Sequence, residues 1–202
     1  MRVERIPSRT GMAFVREHHY SHGIHNGPVC WGLLDGDDLV GVVAFATPCS
    51  ENVRASVWGR ENVARVTELH RLVVLDRYGT NTESWLIGRV LHQLHRDRPD
   101  IWGVLSFADA TQGHVGTIYQ ATNAIYTGTS SRARFYLDAD GRLRHPRQNG
   151  VNITLPMAAE RGWRPVMREG KHRYLFIIAP PVLRRRLRRE LRLPALPYPK
   201  GA

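Results

Sequence analysis

The stretch LVVLDRYGTNTESWLIGRVLHQL, residues 72–94, constrains the fold more than any other part of the chain. It opens on an apolar run that reads as the end of a strand and then crosses a polar loop. It closes as a helix in which Ile87, Leu91 and Leu94 share one face. A second apolar run, IWGVLSFAD at 101–109, follows within a few residues and has the character of a strand buried on both sides. A strand–helix–strand centre needs a sheet with helices packed on it, which places the chain among the mixed α/β folds.

The flanks agree with that centre. SRTGMAFVREHHYSHG (8–23) reads as a helix, capped by Ser8 or Thr10, with Met12, Val15 and His19 at helical spacing. VCWGLLDG and DLVGVVAFATP form a hairpin turned at Asp35-Gly36-Asp37, and RVTELHRLVVL (65–75) is a third strand. Downstream, GHVGTIYQAT is a short helix and NAIYTG a strand. ARFYLDADGRLRH is a hairpin turned at Asp140-Gly141, LPMAAERGW a short helix, and KHRYLFIIA a late strand. The tail from Pro181 begins as a basic helix and ends in prolines that forbid one. With 202 residues and neither repeats nor a low-complexity linker, the expectation is one domain. Its core would span about 2–180, with a basic extension over about 181–202.

Charge points to the partner. Lys and Arg number 29 against 18 Asp and Glu, a formal net charge of +11 carried almost wholly by Arg. Such a surface attracts polyanions, DNA or RNA first among them; the plainer reading is a generally basic protein. Trp58, Arg60 and the region 132–147, with Arg132 and Arg134, are candidates for gripping a duplex. Arg184, Arg185 and Arg188 in the run 184–189 suit phosphate contacts, which carry affinity and little specificity. Each of these arginines alone also reads as solvated surface. No apolar run approaches the roughly 20 residues of a membrane span, and MRVERIPSRTG lacks a signal peptide's apolar core. A cytoplasmic location is therefore expected. Cys30 and Cys49 provide neither a disulfide framework nor paired zinc spacing, and read as two buried thiols in neighbouring strands.

Three places carry candidate chemistry. In the loop 76–84, the amides of a helix N-terminus with Arg77, Thr80, Asn81, Thr82 and Ser84 suit a phosphate, although Thr80-x-x-Glu83 is also a capping box. Asp109-x-x-Gln112 reads either as a helix cap or as a carboxylate placed to accept a proton. His18, His19, Tyr20, His22 and His25 form the densest titratable cluster. His18 and His22, spaced i and i+4, would present two rings to a metal from a helix. With Asp109 they would complete the two-histidine, one-carboxylate set of non-haem iron; as plain alternatives they are phosphate donors or a solvated helix end.

ELHRLVVLDRYGTNTESWLIGRVLHQL resembles the acyl-CoA-binding segment of the GCN5-related N-acetyltransferases, with Thr80 and Thr82 standing roughly where that superfamily has glycines. SFADATQGHVGTIYQATNAIYTG resembles its strand–helix–strand ending. Tyr119 falls on the tyrosine that in this superfamily often protonates the leaving thiolate; otherwise it is a core tyrosine. Together with HHYSHG, GKHRYLFII and the closing LPYPK, these segments resemble the phage Mom family over most of 14–200. That resemblance implies a mixed central sheet flanked by helices, with a β-hairpin elaboration and a basic C-terminal helix. It implies an enzyme of the bacterial host's cytoplasm that adds a carbamoylmethyl group to N6 of adenine in double-stranded DNA, protecting phage DNA from restriction. The implied site is His19, Tyr20, Arg71, Ser84, Asp109 and Tyr119, with His18 as the alternative histidine. Implied cofactors are acetyl-CoA or a related acyl or tRNA-borne aminoacyl donor, and iron held by His19 and Asp109, with His18 or His22 as the alternative histidine.

The chemistry gives such residues work. The adenine N6 lone pair is delocalised into the ring, so its proton must leave as it attacks, and Asp109 is a candidate acceptor. The paired base must also be reached, for which flipping is the general solution. Two rival functions stand beside this one: an N-acyltransferase acting on a protein or small amine, and a non-catalytic DNA-binding protein on the same scaffold.

Overall fold

The structure, a computed structural model, describes residues 1–19, 27–48, 50–148 and 150–200. Its first part runs β1 (Arg2–Ile6), α1 (Ser8–His18), β2 (Val29–Asp35), β3 (Asp38–Ala46), α2 (Glu51–Trp58), a 3-10 turn (Arg60–Arg65) and β4 (Val66–Val74). Then follow α3 (Thr82–Asp97), β5 (Gly103–Ala108), a 3-10 turn (Ala110–Gln112), α4 (Thr117–Ala121) and β6 (Ile125–Thr129). An inserted segment holds β7 (Ala133–Leu137), β8 (Leu143–Arg144), β9 (Arg147–Gln148), β10 (Val151–Asn152), α5 (Leu155–Glu160) and β11 (Arg164–Arg168). The chain then returns through β12 (His172–Ile177) to α6 (Pro181–Arg189).

Seven strands form one mixed sheet in the order β1-β2-β3-β4-β5-β12-β6. Of its six neighbouring pairs only β4 and β5 are parallel, and α3 is the crossover that parallel pairing demands. Side chains alternate across the sheet. Leu69, Val104, Tyr174 and Phe176 face one side, where α3 and α4 cover them with Ile87, Val90, Leu91 and Tyr119. Leu105 and Leu175 face the other, packed with Val57 and Trp58 of α2 and Leu187 of α6. On that second side α1 sits over β2 and β3 through Phe14 and Val15. It lies so close that a Cβ on Gly11 would fall 2.6 Å from Cys30 Sγ. Cys30 is buried, which pushes its thiol up to about 11; Cys49 lies outside the described residues.

The expected mixed α/β fold is the one observed, with four corrections of detail. Neither Ser8 nor Thr10 caps α1: Pro7 is the residue before the helix, and the Ser8 hydroxyl donates to the Pro28 carbonyl at 2.5 Å. Asn81 is the residue before α3 and no side chain caps it, so the Thr80–Glu83 capping box does not form. The first helix stops at His18, with His19 already extended (φ −89, ψ 133), and its buried side is Gly11, Phe14 and Val15. In the sheet β12 lies between β5 and β6, antiparallel to both. Finally, β1, α2 and β11 have no counterpart among the elements expected from the sequence. RVERI is charged at Arg2, Glu4 and Arg5, and RPVMR begins and ends on arginine with a proline second, which suits edge strands and conceals them from a search for apolar runs.

The insertion builds a separate three-stranded sheet in the order β11-β7-β8 over a small core of Tyr136, Ile153 and Ala158. Its hairpin turns at Gly141 (φ 74), as the Asp140-Gly141 pair predicts. Beyond α6 the tail returns across the molecule: Leu196 N–H donates to the Tyr126 carbonyl, and the Tyr198 hydroxyl to that of Ala124.

Candidate active site

The parallel pairing of β4 with β5 runs from Val66 opposite Gly103 to Leu69 opposite Ser106, and there it ends. On the other side of β4 the register slips by one residue at the same level. Phe45 pairs with Leu69 and Ala44 with Arg71, leaving His70 as the extra residue of a β-bulge. Past this point the strands part. A cavity of about 660 Å³ opens between them, floored by β4, the end of β5 and the segment 113–119, and bordered by the end of α1.

Asp109 stands at the end of β5, 9% exposed. Its carboxylate accepts from the Thr111 amide at 3.1 Å and the Thr111 hydroxyl at 2.6 Å, so it caps the 3-10 turn that follows. Arg168 of β11 approaches one oxygen at 3.5 Å and Lys171 the other at 3.6 Å; Arg168 also donates to the Thr111 hydroxyl. Burial opposes the charged form, but the Thr111 donors and the two cations outweigh it and hold the Asp109 carboxyl below the usual carboxylate range. Asp109 is thus both the cap and a cavity residue, and it enters the site as an ionised, weakly basic group.

Tyr119 lines the cavity from α4, its ring 5.4 Å from that of Tyr174 and 6.2 Å from that of Phe176. The start of α4 is fixed by Gly116 at φ +78, where a Cβ would fall 2.4 Å from the Tyr174 ring, so no larger residue fits. The Tyr174 hydroxyl donates to the Val115 carbonyl and accepts from Gln120 at 3.1 Å, securing the same turn.

His18, His19, Arg71, Asp109 and Tyr119, separated by up to about a hundred residues in sequence, therefore share one cavity. The loop residues do not join them. Thr80, Asn81 and Thr82 line a shallower hollow of about 440 Å³ with Met1, Gly79 and Trp85. The Ser84 hydroxyl donates to the Asn81 carbonyl at 3.0 Å, and the Arg77 guanidinium lies over the Tyr78 ring at 5.2 Å. Tyr20, His22 and His25 fall outside the described residues.

The cationic candidates divide. Trp58 grips nothing outside the protein: it is 3% exposed, and its indole N–H donates to the Leu187 carbonyl at 2.8 Å. Its burial follows from the amphipathic α2, whose apolar side the sheet needs. Arg60 is engaged by Glu51 at 2.9 Å and Asn52 at 3.1 Å, Arg132 by Glu169, and Arg184 by the Ala179 carbonyl. Arg134, Arg185 and Arg188 are exposed, and the two on α6 surround the buried Leu187.

A metal ion fits poorly. His18 is the last residue of α1, His22 lies outside the described residues, and both oxygens of Asp109 already face cations. Among the described residues no three His, Cys, Asp or Glu side chains gather as a metal group. Of the residues expected to hold iron, His18, His19 and Asp109 line the same cavity, and His22 lies outside the described residues.

Sequence reasoning missed four residues of this site. Glu68 and His70 lie two apart on one strand inside the ELHR motif, a spacing that puts both on one side of β4, and both line the cavity. Arg168 and Lys171 come from the insertion and its exit; nothing local in RPVMREGK announces that they reach Asp109.

Residues 1–200 match the Mom protein family. The chain belongs to that family. It is 29% identical over 141 residues to the methylcarbamoylase mom of Escherichia phage Mu, a match covering 69% of this chain and 58% of that relative. The chain thus spans less than two thirds of the relative's length. Among solved structures it resembles a mutant of the Vibrio cholerae spermidine N-acetyltransferase SpeG (TM-score 0.51, 11% identity, 88% of this chain and 95% of that one). It also resembles the Escherichia coli ribosomal-protein-S18-alanine N-acetyltransferase (TM-score 0.50, 8% identity, 89% and 94%). This Mom family chain therefore has the N-acetyltransferase fold, and its cavity lies where β4 and β5 separate. No described helix is long and apolar enough to cross a membrane.

Proposed function

We propose that this Mom family chain is a transferase that places a carbamoylmethyl group on N6 of adenine in double-stranded DNA. The observation that carries the proposal is the family match over residues 1–200, since the curated relative is named a methylcarbamoylase. The +11 charge and the exposed arginines of α6 and β7 suit a DNA partner.

In this reading an acetyl-CoA-like or aminoacyl donor lies along the opened half of β4. Arg71 holds its polar part, and the first turn of α3, with Arg77, Thr80, Asn81, Thr82 and Ser84, meets its phosphates. Tyr119 delivers a proton to the leaving atom. Asp109, kept ionised, accepts a hydrogen bond from the adenine amine and sets its direction of attack. His19 borders the acceptor side, and Arg134, Arg185 and Arg188 neutralise backbone phosphates.

Expression in a bacterial host followed by mass spectrometry of digested cellular DNA tests this. An adenosine heavier by a carbamoylmethyl group is expected, with resistance to adenine-sensitive restriction enzymes. Unmodified DNA in cells holding soluble, folded protein would overturn the proposal. An acetyl mass on a protein or polyamine would assign the chain to ordinary N-acyl transfer instead.

A further inference from the structure

Attack by a delocalised amine needs a proton acceptor, and Asp109 is poorly suited to the task. Its Oδ1 accepts both Thr111 donors and faces Arg168, and its Oδ2 faces Lys171. A better acceptor stands across the cavity. His70 is the bulged residue of β4, at the level where pairing with β5 stops, and bulges re-aim side chains beside active sites. Its Nδ1 lies 3.3 Å from Glu68 Oε1, and the two side chains, 10% and 18% exposed, both line the cavity. The backbone under them is secured by Arg71, which donates to the His70 carbonyl at 2.7 Å. A carboxylate beside Nδ1 fixes the imidazole tautomer with its proton on Nδ1, which makes Nε2 the basic nitrogen.

We infer that His70, oriented by Glu68, is the catalytic residue that takes the proton from the acceptor amine, with Glu68 as its positioning residue. The inference rests on the transferase reading. The donor must carry every atom of the transferred group, the amide nitrogen included. As N6 attacks, a bond forms from N6 to that group's electrophilic carbon, and the bond from that carbon to its leaving atom breaks with the electron pair on the leaving atom. The N6 proton passes to His70 Nε2, and the Tyr119 phenol proton passes to the leaving atom. Solvent then carries the imidazolium proton to the phenolate and resets the site. His18 and His19 at the end of α1, Glu83 on α3, Asp109, His114 and Lys171 are the other ionisable groups around this cavity beside Arg71 and Asp76 of the β4 segment.

The test compares cells expressing the full chain as wild type, His70→Gln, Glu68→Gln and Glu68→Asp, measuring modified adenine by mass spectrometry. A wild type that leaves DNA unmodified refutes the transferase reading itself. If the wild type modifies DNA, His70→Gln should reduce the adduct on the order of 10²-fold or more with an unchanged melting temperature. Wild-type adduct levels in His70→Gln would overturn the inference. The second readout is the tautomer of the His70 ring, read from its nitrogen chemical shifts in purified protein. Glu68→Gln should lose the preference for a proton on Nδ1 and lower the adduct, and Glu68→Asp should restore both. Should His70→Gln fail to fold, Glu68→Gln decides: an unchanged tautomer with wild-type adduct overturns the proposal.

Discussion

The seam between β4 and β5 has two halves that share the same strands and do opposite work. From Val66 to Leu69 the seam is closed, and Leu69 is 3% exposed within the main core. From His70 onward it is open, and the side chains there are His70, Arg71 and, across the gap, Asp109. Closed pairing satisfies backbone groups and lets Val66 and Leu69 pack in the core, with Glu68 at its margin already lining the cavity. Once β5 leaves, polar groups are needed to meet either water or a ligand, and a polar cavity follows. The site is therefore made by the loss of pairing, with the bulge at His70 marking the change.

Four measurements put this contrast at risk. The largest effect belongs to the closed half: Leu69→Ala should destabilise the fold by about 2–5 kcal/mol, read from urea denaturation. In the open half, Asp109→Asn should lower the DNA adduct on the order of 10²-fold while the urea midpoint at neutral pH moves little. A variant that unfolds instead would show Asp109 to be chiefly the cap of its 3-10 turn, and the contrast would collapse. Wild-type modification would do the same from the other direction.

A third effect is a matter of pH. The Asp109 carboxyl is held low in the folded chain, so its stabilisation is complete above the unfolded carboxylate value of about 3.9 and is lost as pH falls through the lower folded value. Urea midpoints followed from about pH 5 to about pH 3 should fall more steeply in the wild type than in Asp109→Asn. Parallel curves would mean that Lys171 and Arg168 do not hold the charged form. The smallest effect lies far from the seam: Arg185→Ala with Arg188→Ala should reduce the salt slope of DNA affinity by about 0.9 for each phosphate no longer neutralised. Stability should change by no more than about 0.5 kcal/mol.

Much of the fold is legible because its central elements keep clean periods. The apolar strand before the loop, the amphipathic α3 and the two hairpins all appear where their patterns place them. The remaining elements are hidden for local reasons. RVERI and RPVMR are edge strands whose charges mask their period, and Trp58 is an aromatic beside arginines whose burial depends on α6 arriving from 129 residues away. The loop at 76–84 shows the reverse: a capping box legible in Thr80 and Glu83 is not used, because the helix begins one residue later than that motif requires.

For the site, sequence alone determined the identity of the polar groups and the family to which their order belongs. It located Arg71, Asp109 and Tyr119 at strand and helix ends, because motifs carry local backbone geometry with them. Only the tertiary structure decided that these residues share one cavity while Thr80, Asn81 and Thr82 line another. It also decided that Asp109 is flanked by Arg168 and Lys171, and that Glu68 and His70 meet where β5 turns away. Such facts depend on register and on where pairing stops. Those are set by the balance of many distant contacts, and no window of sequence contains them.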